Sequence, residues 1–191
     1  FWRMLNFNTN RGDQAGFGVF RNREGLHRDF TIRPGIVIPA GNYTFSGFNM
    51  EARLSNQLEF SPGISFNIGD YYDGERMQVN ANIDWAPNEH INIGFNYNYQ
   101  DITLPQGSFD VRLVSANANY AFNSKWSWIN LIQYDNFSDV VGINSRLRWN
   151  PQAGEDLFLV INYNFDAEGV FADLNSNNAE IVLKYTKTFR F

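Results

Sequence analysis

Cysteine is missing from all 191 residues, which excludes disulfides and thiolate metal sites. Histidine occurs only as His27 and His90, so little side-chain chemistry is available to move protons near neutral pH. No apolar run approaches the roughly 20 residues of a membrane-crossing helix, and the mean hydropathy is −0.39. No stretch sustains a helical period. Basic residues are outnumbered, 15 Lys and Arg against 20 Asp and Glu, and form no patch that would hold nucleic acid. The G-x-S-x-G, H-E-x-x-H and phosphate-loop spacings are missing too. An enzyme is therefore not expected, nor is any catalytic residue, metal site or cofactor.

What the chain has in quantity is aromatic side chains, 17% of the residues, and 26 Asn. They recur with a period of two. From Ala179 to Phe191, one face carries Ile181, Leu183, Tyr185, Phe189 and Phe191, interrupted by Lys187. The other carries Glu180, Lys184, Thr186, Thr188 and Arg190, with Val182 as the exception. Such alternation is a strand with one oily and one wet face. Its 13 residues exceed an ordinary globular strand. They suit a tilted strand crossing a bilayer, which needs roughly 9–11 residues plus its ends. The chain then stops on an aromatic residue, as proteins inserted by the bacterial outer-membrane assembly machinery do. Tyr185, Phe189 and Phe191 are the candidate assembly signal, with Lys184 in place and Thr186 where a Gly is usual.

The same alternation, taken between turn signals, gives about twelve strands. They span 1–9, 14–22, 27–38, 43–54, 57–68, 76–86, 90–101, 110–122, 125–135, 140–149, 156–166 and 178–191. Met77, Val79, Ala81, Ile83 and Trp85 oppose Gln78, Asn80, Asn82 and Asp84. Ile91, Ile93, Phe95, Tyr97 and Tyr99 oppose Asn92, Gly94, Asn96, Asn98 and Gln100. The expected fold is all-β, an antiparallel up-and-down transmembrane barrel, since lipid-facing and lumen-facing residues alternate in such barrels and keep mean hydropathy low.

Connections alternate in expected length. Asn150–Gly154, Asn123–Ser124, Ala86–Glu89, Ser55–Asn56 and Arg23–Gly25 read as tight turns. Asp166–Asn177, Asn136–Asp139, Ile102–Phe109, Gly69–Glu75 and Thr9–Asp13 read as longer loops. Short periplasmic turns and longer external loops are the barrel pattern. Trp2, Trp85, Trp126, Trp128 and Trp149 all fall at the short-turn ends, with Tyr43, Tyr97, Tyr99, Tyr134 and Tyr163 towards the other. Those five Trp, with Phe191, are the candidate membrane-interface residues, because amphipathic rings settle at headgroup level.

Three places resist this scheme. Pro62 sits inside a strand, where it deletes a ladder hydrogen bond. In 125–135 the outward face is either Trp126, Trp128, Ile132 and Tyr134, or Ile129 and Leu131. The register of Pro34–Gly47, with three Gly and two Pro, is open.

The stretch Asn130–Phe165, with Gln133-Tyr134-Asp135, Asn144–Trp149 and Asp156–Val160, and the terminal VLKYTKTFRF resemble the C-terminal barrel of the uncharacterised envelope family DUF 5916. The resemblance is carried by about the last third of the chain. It implies a bacterial outer-membrane location and a C-terminal fragment, 1–191 being one barrel domain, of a longer chain with a leader and a family-nine-type carbohydrate-binding module. Phe1, which falls in mid-pattern, fits a fragment. The family supplies no activity and no site residues.

The candidate functional surface is a belt of neutral amides expected to face the lumen: Asn80, Asn82, Asn92, Asn96, Asn98, Asn117, Asn119, Asn144, Asn162 and Asn164, with Arg146 and Arg148. Any barrel interior is polar; amides also bond hydroxyls without selecting charge, which suits neutral solutes such as sugars. Asp70, Asp73 and Glu75 would attract Ca²⁺ only with further oxygen ligands, and Arg11-Gly12-Asp13 reads as an ordinary polar turn. The expected function is a channel or the membrane part of a transport or secretion assembly. The alternatives are a plugged barrel anchoring a carbohydrate- or partner-binding domain and, last, an outer-membrane hydrolase. Expected partners are outer-membrane lipid, the barrel assembly machinery and other envelope proteins, and no nucleic acid.

Overall fold

The computed structural model of the chain describes residues 2–168 and 173–188. The fold is all-β and antiparallel. In chain order the strands are β1 Trp2–Asn8, β2 Gln14–Leu26, β3 Phe30–Arg33, β4 Ile36–Ile38, β5 Gly41–Arg53, β6 Phe60–Tyr71 and β7 Gly74–Asn88. There follow β8 Ile91–Leu104, β9 Gly107–Ala121, β10 Trp126–Asp135, β11 Val140–Gln152, β12 Glu155–Glu168 and β13 Asp173–Lys187. Eleven of them form one sheet in the order β1-β2-β5-β6-β7-β8-β9-β10-β11-β12-β13, a meander in which β3 and β4 are set aside as a separate hairpin. Contacts divide the chain into two units, residues 1–82 with 97–112 and residues 83–96 with 113–191.

Two of the expected boundaries are overturned at the N-terminal end. The turn expected at Arg23–Gly25 lies inside β2, where Arg23, Glu24 and Gly25 pair with Thr44, Tyr43 and Asn42. The cross-strand ladder outweighs the local turn preference of Glu-Gly. The strand expected over 27–38 is broken by Pro34-Gly35, whose Gly35 has φ +84°. Pro then Gly at positive φ is the type II turn signature, and it closes a hairpin in which Arg33 pairs with Ile36. Among the described residues the chain thus carries thirteen strands against about twelve expected, eleven of them in the sheet.

The expected alternation of short and long connections also fails. Gly69–Glu75 and Ile102–Phe109 contract to two-residue turns, because β6 runs on to Tyr71 and β8 to Leu104. Ser55–Asn56, expected to be tight, lies in a six-residue connection from Leu54 to Glu59. Among the described residues only the β2–β5 connection, residues 27–40, is long, and it carries the hairpin, while residues 169–172 of the expected Asp166–Asn177 loop lie outside the described residues.

Pro62 proves to sit near the start of β6. Its carbonyl accepts from Leu54 N–H at 2.9 Å, so the ladder loses only the half-pair that Pro lacks the hydrogen to make. The ambiguous face of β10 is settled by register. Ile129 and Leu131 pair with Asn119 and Asn117, which leaves Trp126, Trp128, Asn130, Ile132 and Tyr134 on the opposite face.

A hydrophobic core exists only locally among the described residues. Ile36 and Ile38 of the hairpin pack with Ile102 and Leu104 of β8, against partly buried Leu26, Ile32, Tyr43, Tyr71, Tyr72 and Phe109. All belong to the first unit.

The amide face as candidate functional site

Register sorts the side chains into two faces. In the first unit, Gly47–Gly69, Asn49–Asn67, Glu51–Ser65 and Arg53–Gly63 share one face, while Phe48–Ile68, Met50–Phe66 and Ala52–Ile64 share the other. Phe48 and Ile68 belong to interior strands, yet each is 53% exposed. In the second unit, Leu157, Leu159 and Ile161 pair with Tyr185, Leu183 and Ile181 on the apolar face. The apolar face thus has no protein covering it at these positions.

The polar face carries hydrogen-bonded amide chains. Gln100 Nε2 donates to Asn98 Oδ1 at 3.2 Å, and Asn98 Nδ2 donates to Asn80 Oδ1. Asn80 Nδ2 continues to Ser65 Oγ at 3.1 Å, linking three strands of the first unit. In the second unit, Asn144 Nδ2 donates to Asn162 Oδ1, and Asn162 Nδ2 to Glu180 Oε2 at 3.3 Å. Asn119 Nδ2 reaches Asn92 Oδ1 at 3.4 Å, and Asn96 Nδ2 reaches Ser115 Oγ at 3.5 Å. Glycines make room for this layer. A Cβ at Gly63 would meet Asn82 Oδ1 at 2.5 Å, and one at Gly94 would meet Asn117 Oδ1 at 2.2 Å. Asn164 lies opposite Gly142 across β11 and β12.

Amides offer donors and acceptors in equal measure, and here some stay free for another occupant. The buried Oδ1 atoms of Asn49 and Asn119 have no protein partner.

In the second unit this face also carries charge beside the turn between β11 and β12. Arg148 Nε pairs with Asp156 Oδ1 at 2.7 Å. Arg146 and Arg148 place their guanidinium carbons 5.8 and 5.9 Å from the Phe158 ring centre, and Lys184 is the register partner of Phe158.

Of the Trp residues, Trp126 and Trp149 stack at 5.7 Å between ring centres, and Trp128 Nε1 donates to Ser145 Oγ at 2.8 Å. Both contacts are on the apolar face. Trp85 lies three residues from the Asn88 end of β7. Trp2 departs from the expected grouping. It pairs with Val19, Val19 with Phe48 and Phe48 with Ile68, near the end of β6 that leads to Tyr71. With the expected strand 27–38 taken out of the meander, the Thr9–Asp13 turn changes ends. It sits beside Ser55, whose N–H donates to Asp13 Oδ1 at 2.9 Å. Trp2 is consequently at the strand ends opposite that turn. Tyr185 lies on the apolar face and bonds the Glu155 carboxylate through its hydroxyl; Phe189 and Phe191 lie outside the described residues.

The remaining motifs resolve into structure. Asp70 Oδ2 accepts from Ser46 N–H at 3.0 Å, and Asp73 Oδ2 from Gln106 Nε2 at 2.6 Å, so these carboxylates are occupied in holding strands together. Asp13 of Arg-Gly-Asp bonds Thr9 Oγ1 at 2.9 Å within its own turn. His90 Nδ1 lies 2.7 Å from the Ala121 carbonyl, bracing the turn between β7 and β8. His27 opens the β2–β5 connection.

Sequence reasoning missed the aromatic cluster at the hairpin. Tyr43, Phe45, Tyr71 and Tyr72 meet edge to face or tilted, with ring centres 4.9–6.1 Å apart. One signal was present. On β8 the even positions read Asn96, Asn98, Gln100 and then Ile102 and Leu104. A face that turns from amide to aliphatic within one strand marks a place where something covers it.

No protein-family model and no curated protein sequence matches the chain. Among solved structures, a NanC porin is similar over 96% of this chain and 97% of its own, at 10% identity and a TM-score of 0.42.

Proposed function

We propose that the chain is an outer-membrane β-barrel channel whose amide face lines a route for neutral polar solutes such as sugars. The observation that carries this is the division of the sheet into two faces of opposite solvent preference. In the first unit Phe48, Met50, Ile64 and Ile68 are exposed on the apolar face, as are Ile83 and Leu159 on that of the second. A patch of that extent in water would invite aggregation, whereas lipid solvates it without cost. The opposite face carries chains of amides, with acceptors left over at Asn49 and Asn119 that water or a hydroxyl group would satisfy. Since every backbone group in lipid needs a partner, this reading requires the outermost strands to be paired as well.

The testing experiment is single-channel conductance of the protein in a planar bilayer, followed by sugar flux into liposomes. Stepwise openings are expected, and replacing Asn96 and Asn98 together by Leu should lower sugar flux. Unchanged flux in that variant would remove the amides from the route. A second reading, a plugged barrel that anchors a carbohydrate- or partner-binding domain, is favoured by one observation: the hairpin core packed on the face that carries Gln100 and Ile102. Silence from folded protein in the bilayer would select it.

A further inference from the structure

The β3–β4 hairpin has no place in the sheet, yet it contributes Ile38, which is 0% exposed while much of the apolar side-chain area elsewhere is open. Its position is fixed by parity. Ile102 and Leu104 continue the alternate positions of Asn98 and Gln100, and Tyr43 and Phe45 continue those of Gly47. The hairpin packs on these residues, so it lies over the same face as the Gln100–Asn98–Asn80–Ser65 amide chain and directly beyond it.

The attachment is made at several independent points. A Cβ at Gly107 would meet Ile36 Cδ1 at 3.2 Å, so the turn into β9 fits closely against the hairpin. Arg33 places its guanidinium carbon 5.3 Å from the Phe109 ring centre. Tyr43 Oη donates to the Pro39 carbonyl at 2.7 Å, and Asp29 Oδ1 accepts from Ala40 N–H at 2.9 Å. These contacts hold both ends of the connection as well as its tip.

From this geometry we propose that the hairpin, residues 30–38, is the size-limiting element on the amide face: it covers the apolar end of the solute route and sets the largest solute that passes. The physical reason is a change of surface along one face. A sugar hydrogen-bonded to Asn80, Asn98 and Gln100 has no amide partner beyond Gln100 on β8, where Ile102 and Leu104 are already buried under Ile36 and Ile38. A solute must pass beside the hairpin, and the packed core does not yield space to it. The inference rests on the channel reading, and its test separates the two.

The experiment compares wild type, a variant with residues 30–38 replaced by a short Gly-Ser link, and an Ile36→Ala/Ile38→Ala variant of full length, each checked for heat-modifiable migration as folded protein. Liposome swelling is measured with neutral mono-, di-, tri- and tetrasaccharides. In parallel, Gln100→Cys is placed in each background and labelled with maleimides of increasing size. Expected is several-fold faster swelling with the larger sugars on removing the hairpin, little change with the monosaccharide, and access of bulky maleimides to the introduced thiol only in the altered backgrounds. An unchanged size limit together with equal labelling in all backgrounds overturns the proposal. If wild type passes no sugar and the variants do, the hairpin is limiting and the open-channel reading fails. If nothing passes sugar, the channel reading fails and the labelling alone decides whether the hairpin covers the face.

Discussion

Glycine positions show how closely two strands approach at single residues. Gly47 and Gly69 face each other across β5 and β6. A Cβ on Gly47 would lie 2.3 Å from the Ile68 carbonyl oxygen, 2.7 Å from the Phe20 ring and 2.9 Å from Gly69 Cα. The nearest obstacle is backbone and has nowhere to move, so Gly47→Ala should cost about 1–3 kcal/mol as overpacking. At Gly94 the obstacle is the mobile end of Asn117, 2.2 Å away, which can swing aside. Urea unfolding of the two Ala variants, followed by Trp fluorescence, should therefore give a clearly lower midpoint for Gly47→Ala than for Gly94→Ala. Equal midpoints would mean that β5 and β6 do not approach as described. None of this distinction was legible in the sequence, where both residues are simply Gly within a strand.

At the scale of the element, the hairpin and the turn between β6 and β7 act together. Tyr72 in that turn has φ +54° and packs on Tyr71, Tyr43, Phe45 and Phe30. Burial pushes its hydroxyl pKa above the ordinary value near 10. Glu24, whose carboxylate lies 3.5 Å from Tyr72 Oη, pushes the same way, and Arg76 opposes it. The folded state therefore favours the neutral ring. Its contribution is complete below the ordinary tyrosine range and is lost as pH rises through the raised value. Protection from hydrogen exchange in residues 27–40, taken relative to the base-catalysed rate of the unfolded chain, should fall on alkaline titration, and Tyr72→Phe should remove that fall while keeping the packing. An identical alkaline response in the Phe variant would assign it to another group, Tyr71 being the nearest.

Over the whole molecule, the two faces make opposite demands on substitution. Leu159 lies on the apolar face between its register partners Leu147 and Leu183. On the membrane-barrel reading, Leu159→Arg should destabilise the protein in bilayers by roughly 2–4 kcal/mol if it lies near the midplane. Arg146→Leu, on the polar face, should change stability far less. Denaturant titration of liposome-folded protein compares the two, and a well-tolerated Leu159→Arg would remove lipid from that face. The same opposition explains which parts of the fold were legible. Strands β7 to β12 each run between two hydrogen-bonded neighbours in the sheet, and their period of two is plain in the sequence. The expectation failed around Arg23 and Pro34, where turn-forming residues and strand-forming residues are interleaved.

By itself, the sequence determined the all-β antiparallel class, the amide and aromatic faces of most strands, and the separation of Asn from large apolar residues, because a two-residue period is a local property of the chain. It also contained the Pro34-Gly35 turn, although its meaning depended on what lay around it. Only the tertiary structure decided that β2 continues through Glu24-Gly25 to pair with β5, that the hairpin leaves the sheet, and that it settles on Ile102 and Leu104. Those outcomes depend on pairing between residues far apart in the chain. A local turn preference worth little on its own is overruled there by a ladder of hydrogen bonds and by burial of Ile38, neither of which exists until the strands meet.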